Sequence, residues 1–255
     1  MAAEAPGCKV DRSLSIEAQD ASDPDFSFAF QPIVDANARE VFSYEALIRG
    51  AGNESAPHVL RQVSTDRLFA FDQKARARAI DVARRLGINC HLNLNFLPRS
   101  LEESPQSIVS TLEAAERANL PIKRIVIEVV EGEIIEDHSH FSRLINQYRG
   151  LGLKVAIDDF GAGYSGLNLL AEFQPDQVKL DMKLIAGIER HGPRQAIVRA
   201  IGQICSDLGI DIIAEGVETE EEYAWLASQG IRLFQGYLFA KPGFESFPPV
   251  HYLSH

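Results

Sequence analysis

Apolar residues recur along this chain in short runs bounded by turn residues, and between the runs they recur at helical spacing. Runs of this length predict strands at 26 to 34 (FSFAFQPIV), 41 to 49 (VFSYEALIR), 90 to 96, 124 to 130, 153 to 159, 177 to 182, 210 to 215 and 231 to 237. The run Leu153 to Ile157 is apolar throughout, as expected of a strand buried on both faces. Helical patterns fall around 59 to 86, 101 to 118, 139 to 150, 166 to 173, 194 to 208 and 219 to 229, and Gly87, Gly152, Gly209 and Gly230 stand just past four of them as C-caps. The first two strands are joined only by DANARE, too short for a parallel crossover, so they must pair antiparallel. Eight strands with alternating helices predict an α/β fold, a modified TIM (β/α)8 barrel with an antiparallel first strand. The barrel is expected over residues 26–255, with residues 1–25, small, polar and aperiodic, as a flexible arm or linker remnant.

Composition narrows the partners. The 25 basic and 36 acidic residues leave a formal charge of −11, which provides no basic field for a DNA or RNA polymer. Cys8, Cys90 and Cys205 are odd in number and scattered, so neither a disulfide framework nor a zinc site is indicated, and a reducing, cytoplasmic setting is expected. No apolar run approaches the length needed to enter and cross a bilayer.

The strands end in chemistry. Glu45, Asn95, Glu128, the pair Asp158 and Asp159, Lys179, Glu215 and Gln235 close successive strands from the second to the eighth, and a barrel gathers those ends on one face. Gly161, Gly163 and Gly166 follow the acid pair and permit a sharp, open turn. An isolated acid pair is an ordinary solvated turn, and a ring of structural ion pairs is the plain alternative for the whole set. The string DFG has no companion kinase segments. So many carboxylates in one mouth raise each other's pKa unless cations intervene. Carboxylate and carboxamide oxygens without His or Cys favour Mg²⁺ or Mn²⁺, with oxygens enough for two ions per site, the arrangement used in phosphodiester hydrolysis.

In order along the chain, QPIV (31 to 34), EALIR (45 to 49), NF (95 and 96), EVVE (128 to 131), DDFGAGYSGL (158 to 167), KLD (179 to 181), AEGVET (214 to 219) and QGY (235 to 237) resemble the signature series of EAL domains, cyclic di-GMP phosphodiesterases. The resemblance covers about residues 26 to 244 and implies the same barrel with a reversed first strand. It implies Glu45, Asn95, Glu128 and Asp158 as ligands of one metal and Asp158, Asp159 and Glu215 as ligands of the second, Asp158 bridging. Lys179 matches the lysine near the attacking water and Gln235 a glutamine supporting the site. Arg49 resembles an arginine that meets substrate phosphate, with weaker matches for Gln31 and Asp72 as substrate contacts. Glu131 resembles the glutamate that holds the loop after the fourth strand, tied in the family to dimer contact and metal occupancy. Val130 stands where the family usually has threonine, which removes a hydroxyl from that loop's regulation.

The activity so implied is opening of one phosphodiester of cyclic di-GMP to linear pGpG, in a homodimer and under a regulatory or sensor partner. Two rivals remain: an EAL domain that serves as a cyclic di-GMP receptor or protein-interaction module, and a barrel aldolase using Lys179 as a Schiff-base amine. The second is disfavoured, because a lysine ringed by carboxylates keeps its proton. His58, His138, His140 and His191 read as solvated surface groups, His91 as a packed residue near the rim, and Cys90 and Cys205 as small buried hydrophobes. Glu220, Glu221 and Glu222 follow Thr219 as the first turn of a capped helix, while Glu218 belongs to a turn close to the site.

Overall fold

The computed structural model describes residues 23–97, 108–131, 138–163 and 166–253. Strands β1 (Phe26–Asp35) and β2 (Glu40–Gly50) form a long antiparallel hairpin, registered from Phe26 opposite Gly50 to Asp35 opposite Glu40. Asp35 fixes its turn by accepting from the N–H groups of Asn37 and Ala38, each at 3.0 Å. From β2 the sheet continues in parallel through β3 (His91–Asn95), β4 (Ile125–Val130), β5 (Lys154–Phe160), β6 (Gln177–Leu180), β7 (Asp211–Ala214) and β8 (Leu233–Phe234). β8 then pairs antiparallel with β1, closing an eight-stranded barrel whose first strand is reversed, as expected. β9 (Gly243–Phe244) adds to the same edge of β1, opposite Ala29 and Phe30.

Among the described residues the α-helices are α1 (Ala56–Leu60), α2 (Leu68–Arg85), α3 (Val109–Arg117), α4 (His138–Gly150), α5 (Gly166–Phe173), α6 (Met182–Ile185), α7 (Gly192–Leu208) and α8 (Glu220–Ser228). The four expected C-cap glycines all take left-handed φ, from +70° at Gly209 to +96° at Gly152. Two expectations need correction. The helix foreseen over 59 to 86 is broken into α1, a 3₁₀ turn at Thr65–Arg67 and α2, because Ser64 and Ser55 take extended backbone at the break and at the start. The eighth strand pairs over only two residues, and Gln235 lies just beyond it. Of the arm foreseen to residue 25, residues 23–25 are described, and Asp23 pairs with Arg67 at 2.5 Å and Lys74 at 2.6 Å. Residues 1–22 of the arm, and the helix start at 101–107, lie outside the described residues.

Strand alternation sorts the interior into two apolar bodies. The larger lies between the strands and the helices and includes Phe30, Phe71, Leu92, Ile125, Val155 and Leu226. The smaller, Ile33, Ile213 and Leu233, plugs the barrel axis: Ile33 stands two residues after Gln31 on β1, and Ile213 and Leu233 stand two residues before Glu215 and Gln235, which lie just past the ends of β7 and β8. Water is thereby excluded beneath the site, and charges in the mouth sit over a low-dielectric floor.

Candidate functional site

Glu45 and Gln31 face each other across the hairpin, and the parallel strands bring the remaining ends to the same mouth. At its centre is Lys179, only 1% exposed, whose Nζ lies 2.7 Å from Glu215 Oε1, 2.9 Å from Glu128 Oε1, 2.9 Å from Asp158 Oδ1 and 3.3 Å from Glu45 Oε2. Amide side chains hold the acids in place. Gln235 Nε2 donates to Glu45 Oε2 at 2.7 Å and to Gln31 Oε1 at 3.3 Å, and Asn95 Nδ2 donates to Glu45 Oε1 at 3.2 Å. Asn93, which the sequence reading did not single out, donates to Glu128 Oε1 at 2.8 Å from a fully buried position. Its place two residues before Asn95, on the same face of β3, is the signal that would have found it.

Adjacent residues of a regular strand point to opposite faces, so two consecutive acids cannot both serve one mouth unless the strand is irregular. β5 is irregular there. Ile157 pairs with Val178 and Phe160 with Leu180, so three steps on β5 match two on β6, and Asp159 takes φ +53°. The bulge re-aims the second carboxylate, a device common beside active sites. The next turn keeps it there: Glu131, nearly buried, accepts from Gly161 N–H at 2.7 Å and Gly163 N–H at 3.3 Å. Glu131 therefore holds the loop after β5; the rest of the loop after the fourth strand, for which it was expected, lies outside the described residues. A Cβ on Gly161 would come within 2.3 Å of Leu184, at φ +93°, so this turn requires glycine.

The cluster is electrostatically overloaded without cations. Burial raises Glu128 well above the usual carboxylate range, and Glu45 and Asp158 add to it against the opposing pull of Lys179. Burial, then Asp158 and Glu45, push Glu215 up to about 8, again against Lys179. Asp159 rises to about 6 through burial and the charges of Asp158 and Asp181. Glu45 moves the other way, because Lys179, Gln235 and Asn95 outweigh its burial. Burial disfavours the charge of Lys179, but the surrounding carboxylates outweigh it and raise its pKa well above the ordinary range, which disfavours the Schiff-base alternative.

Two carboxylate triads have oxygens within 4.8 Å of one another: Glu45, Glu128 and Asp158, and Asp158, Asp159 and Glu215. They share Asp158. In the mouth, Glu128 Oε2 and Gln235 Oε1 are buried without a hydrogen-bond partner; both are acceptors, which a cation would satisfy and a further acid would not. An all-oxygen donor set of this kind fits hard divalent ions.

The other expected contacts lie apart. Arg49 is four residues beyond Glu45 on the same face of β2, roughly 13 Å toward the rim, with Nη1 on the Ile48 carbonyl at 2.8 Å. Asp72 is on α2 and pairs with Arg76, whose Nε donates to Thr111 Oγ1 at 3.1 Å and whose guanidinium lies 4.2 Å over the Phe96 ring. Asp72 does share a largely apolar cavity of about 710 Å³ with Glu45, Asn95 and Val130. A second cavity, about 340 Å³, opens over the cluster itself and includes Gln31, Asp181 and Glu218. Glu222 is structural: it forms a capping box with Thr219 and also accepts from Gly187 N–H at 2.8 Å. His191 accepts from Arg194 N–H at the start of α7, and His91 stacks on Phe42 at the foot of β3, away from the mouth.

A reversed-strand barrel with two overlapping carboxylate triads around a lysine defines a class, barrels whose acidic mouth can hold two hard cations. The EAL domain family model matches residues 16–242, and the chain belongs to that family. A standalone EAL protein from Vibrio cholerae O395, solved with c-di-GMP bound, is 49% identical with a TM-score of 0.86, over 90% of this chain and 97% of that one. Klebsiella pneumoniae BlrP1, solved as a manganese/cy-diGMP complex, is 41% identical with a TM-score of 0.83, over 86% of this chain and 56% of that one. Among curated relatives, the Escherichia coli (strain K12) blue light- and temperature-regulated antirepressor BluF is 37% identical over 226 residues, 88% of this chain and 56% of BluF. The cyclic di-GMP phosphodiesterase PdeR of the same organism is 37% identical over 170 residues, 64% of this chain and 25% of PdeR. The chain thus spans about half of the one and a quarter of the other. No helix among the described residues is long and apolar enough to cross a membrane.

Proposed function

We propose that this protein hydrolyses one phosphodiester bond of cyclic di-GMP to give linear pGpG, using two Mg²⁺ or Mn²⁺ ions. The observation that carries the reading is the pair of triads sharing Asp158, which matches the two ligand sets implied by the sequence. Glu45, Asn95, Glu128 and Asp158 would hold one ion, and Asp158, Asp159 and Glu215 the other. Such ions activate a water and stabilise charge on a phosphoryl oxygen. The chain's own residues do the rest. Gln235 and Asn95 fix the Glu45 carboxylate. Asn93 occupies one oxygen of Glu128 and leaves the second for a ligand role. Lys179, protonated and dry, carries three N–H donors at the centre of the mouth, where it can orient the attacking water and offset developing phosphate charge. Arg49 at the rim suits bidentate contact with a substrate phosphate, and Asp72 and Gln31 suit the edge of a base. Dimerisation and control by a sensor partner belong to the same proposal.

A chelator should abolish turnover, Mg²⁺ or Mn²⁺ should restore it, and Ca²⁺, larger and looser in coordination, should support binding but oppose hydrolysis. Full turnover in chelator would exclude the two-metal reading. The similarity to an antirepressor favours a second reading, a cyclic di-GMP receptor or protein-interaction module, which requires binding without turnover under the same conditions.

A further inference from the structure

One cation of α2 is turned inward. Lys74, Arg78, Arg84 and Arg85 are exposed along that helix, whereas Arg76 is only 2% exposed. A buried guanidinium needs partners, and this one has them in three directions. It pairs with Asp72 one helical turn earlier, its Nε donates to Thr111 Oγ1 on α3 at 3.1 Å, and its central carbon lies 4.2 Å from the centroid of the Phe96 ring. Thr111 and Phe96 are themselves buried. Phe96, the first residue past β3, donates its N–H to the Glu128 carbonyl at 3.0 Å, so the ring under Arg76 is fixed to the barrel rim. Asp72, Arg76 and Phe96 all line the cavity of about 710 Å³.

We infer that Arg76 is a positioning residue for the substrate: it holds the Asp72 carboxylate at the cavity wall, oriented to accept from the N–H edge of a base. The inference rests on the substrate proposed above and on Asp72 as a base contact there. A buried ion pair adds little stability over apolar residues of the same volume, so stability alone does not call for one here. A carboxylate side chain has two torsions to settle, and its contact with a base is worth most when they are settled before binding. A guanidinium can settle them because its donors form a rigid, planar fork that meets Asp72 and Thr111 while its carbon stays over Phe96. A lysine ammonium, a point charge on a flexible stem, has no such fork. The effect of Arg76 therefore falls on substrate affinity, through Asp72, and not on the metals or the chemical step.

The test compares the parent with Arg76→Met, Arg76→Lys, Asp72→Asn and the double variant Arg76→Met with Asp72→Asn. Calorimetric Kd values for cyclic di-GMP in Ca²⁺ are paired with steady-state kinetics in Mn²⁺, Mn²⁺ titration and thermal melts. Arg76→Met and Asp72→Asn should each raise Kd and KM about tenfold, with kcat and Mn²⁺ affinity within about threefold of the parent. The double variant should lie within about twofold of the weaker-binding single, because Arg76 acts through Asp72. Arg76→Lys keeps the charge that the buried Asp72 needs, yet should bind at least about threefold more weakly than the parent. Kd within about twofold of the parent in both Arg76 variants, whatever their melting temperatures, would make Arg76 a structural pin and overturn the inference. An unchanged Kd in Asp72→Asn, or losses that multiply to about a hundredfold in the double variant, would overturn it too. If Arg76→Met does not fold, Arg76→Lys, alone and with Asp72→Asn, is read by the same criteria. A parent that binds but does not turn over removes the hydrolytic proposal and leaves the Kd comparison decisive; a parent that does not bind removes both.

Discussion

Asp158 and Asp159 are consecutive residues that serve one mouth, because β5 gains a residue against β6 at that point and Asp159 turns to φ +53°. Asp and Asn tolerate this left-handed backbone, whereas a β-branched residue there is strained. Asp159→Asn should therefore keep the parent's melting temperature and lose one of two bound Mn²⁺ ions. Asp159→Val should lose the same ion and also about 1–3 kcal/mol of stability. Mn²⁺ titration with parallel thermal melts checks both; equal melting temperatures for the two variants would mean the bulge is not held at Asp159.

Protonation should oppose metal binding in the ordinary pH range. Glu215 is pushed up to about 8, and Glu128 is raised well beyond the usual carboxylate value, both by burial first and neighbouring acids next. A cation binds the deprotonated forms, so below about pH 8 it must displace protons, and apparent affinity should rise with pH, by up to about tenfold per unit for each proton displaced. Calorimetry at pH 7 in two buffers of different ionisation enthalpy should show proton release that fades by pH 9. An affinity flat from pH 6 to 9 would contradict these shifts.

Lys179 should be worth more to the chemistry than to substrate affinity. Lys179→Met leaves the four carboxylates around it without their cation, so the metal-free protein should lose about 3–5 kcal/mol, and added Mn²⁺ should recover much of it. Cyclic di-GMP affinity in Ca²⁺ should stay within several-fold of the parent, while kcat in Mn²⁺ should fall roughly a hundredfold or more. Collapse of affinity with kcat preserved would make Lys179 a substrate anchor instead.

Glu131 touches no proposed metal position yet ties down the turn after β5 through Gly161 and Gly163. Glu131→Ala frees two backbone N–H groups next to the acid pair. We expect Mn²⁺ affinity to drop at least several-fold, with Glu131→Gln, which keeps one acceptor oxygen, intermediate between the two. Unchanged Mn²⁺ affinity in Glu131→Ala would separate this turn from the metal site.

Much of this was legible in the chain. The strand runs, the short DANARE link and the acids at strand ends carry the barrel, its reversed strand and the identity of the mouth, since period and connection length are local properties of sequence. What escaped depends on contacts between distant segments. The bulge at Asp158 and Asp159 is set by pairing with β6, and the role of Asn93 appears only once β4 places Glu128 beside it. The two-residue β8 likewise follows from how β1 divides its edge between β8 and β9. The break between α1 and α2 had a local signal in Ser64, Thr65 and Asp66, an N-terminal helix signature inside a pattern that periodicity alone reads as continuous.

The central claim is hydrolysis of one phosphodiester bond by the two-triad site, and product analysis tests it most directly. Purified protein is incubated with cyclic di-GMP in Mn²⁺, in Mg²⁺ and in chelator, beside Asp158→Asn, and the nucleotides are separated and weighed by mass spectrometry. The account requires linear pGpG in both metals, none in chelator, and a loss of orders of magnitude in a folded Asp158→Asn. Intact cyclic di-GMP in every tube containing folded, ligand-bound protein would contradict it and leave a receptor in place of an enzyme.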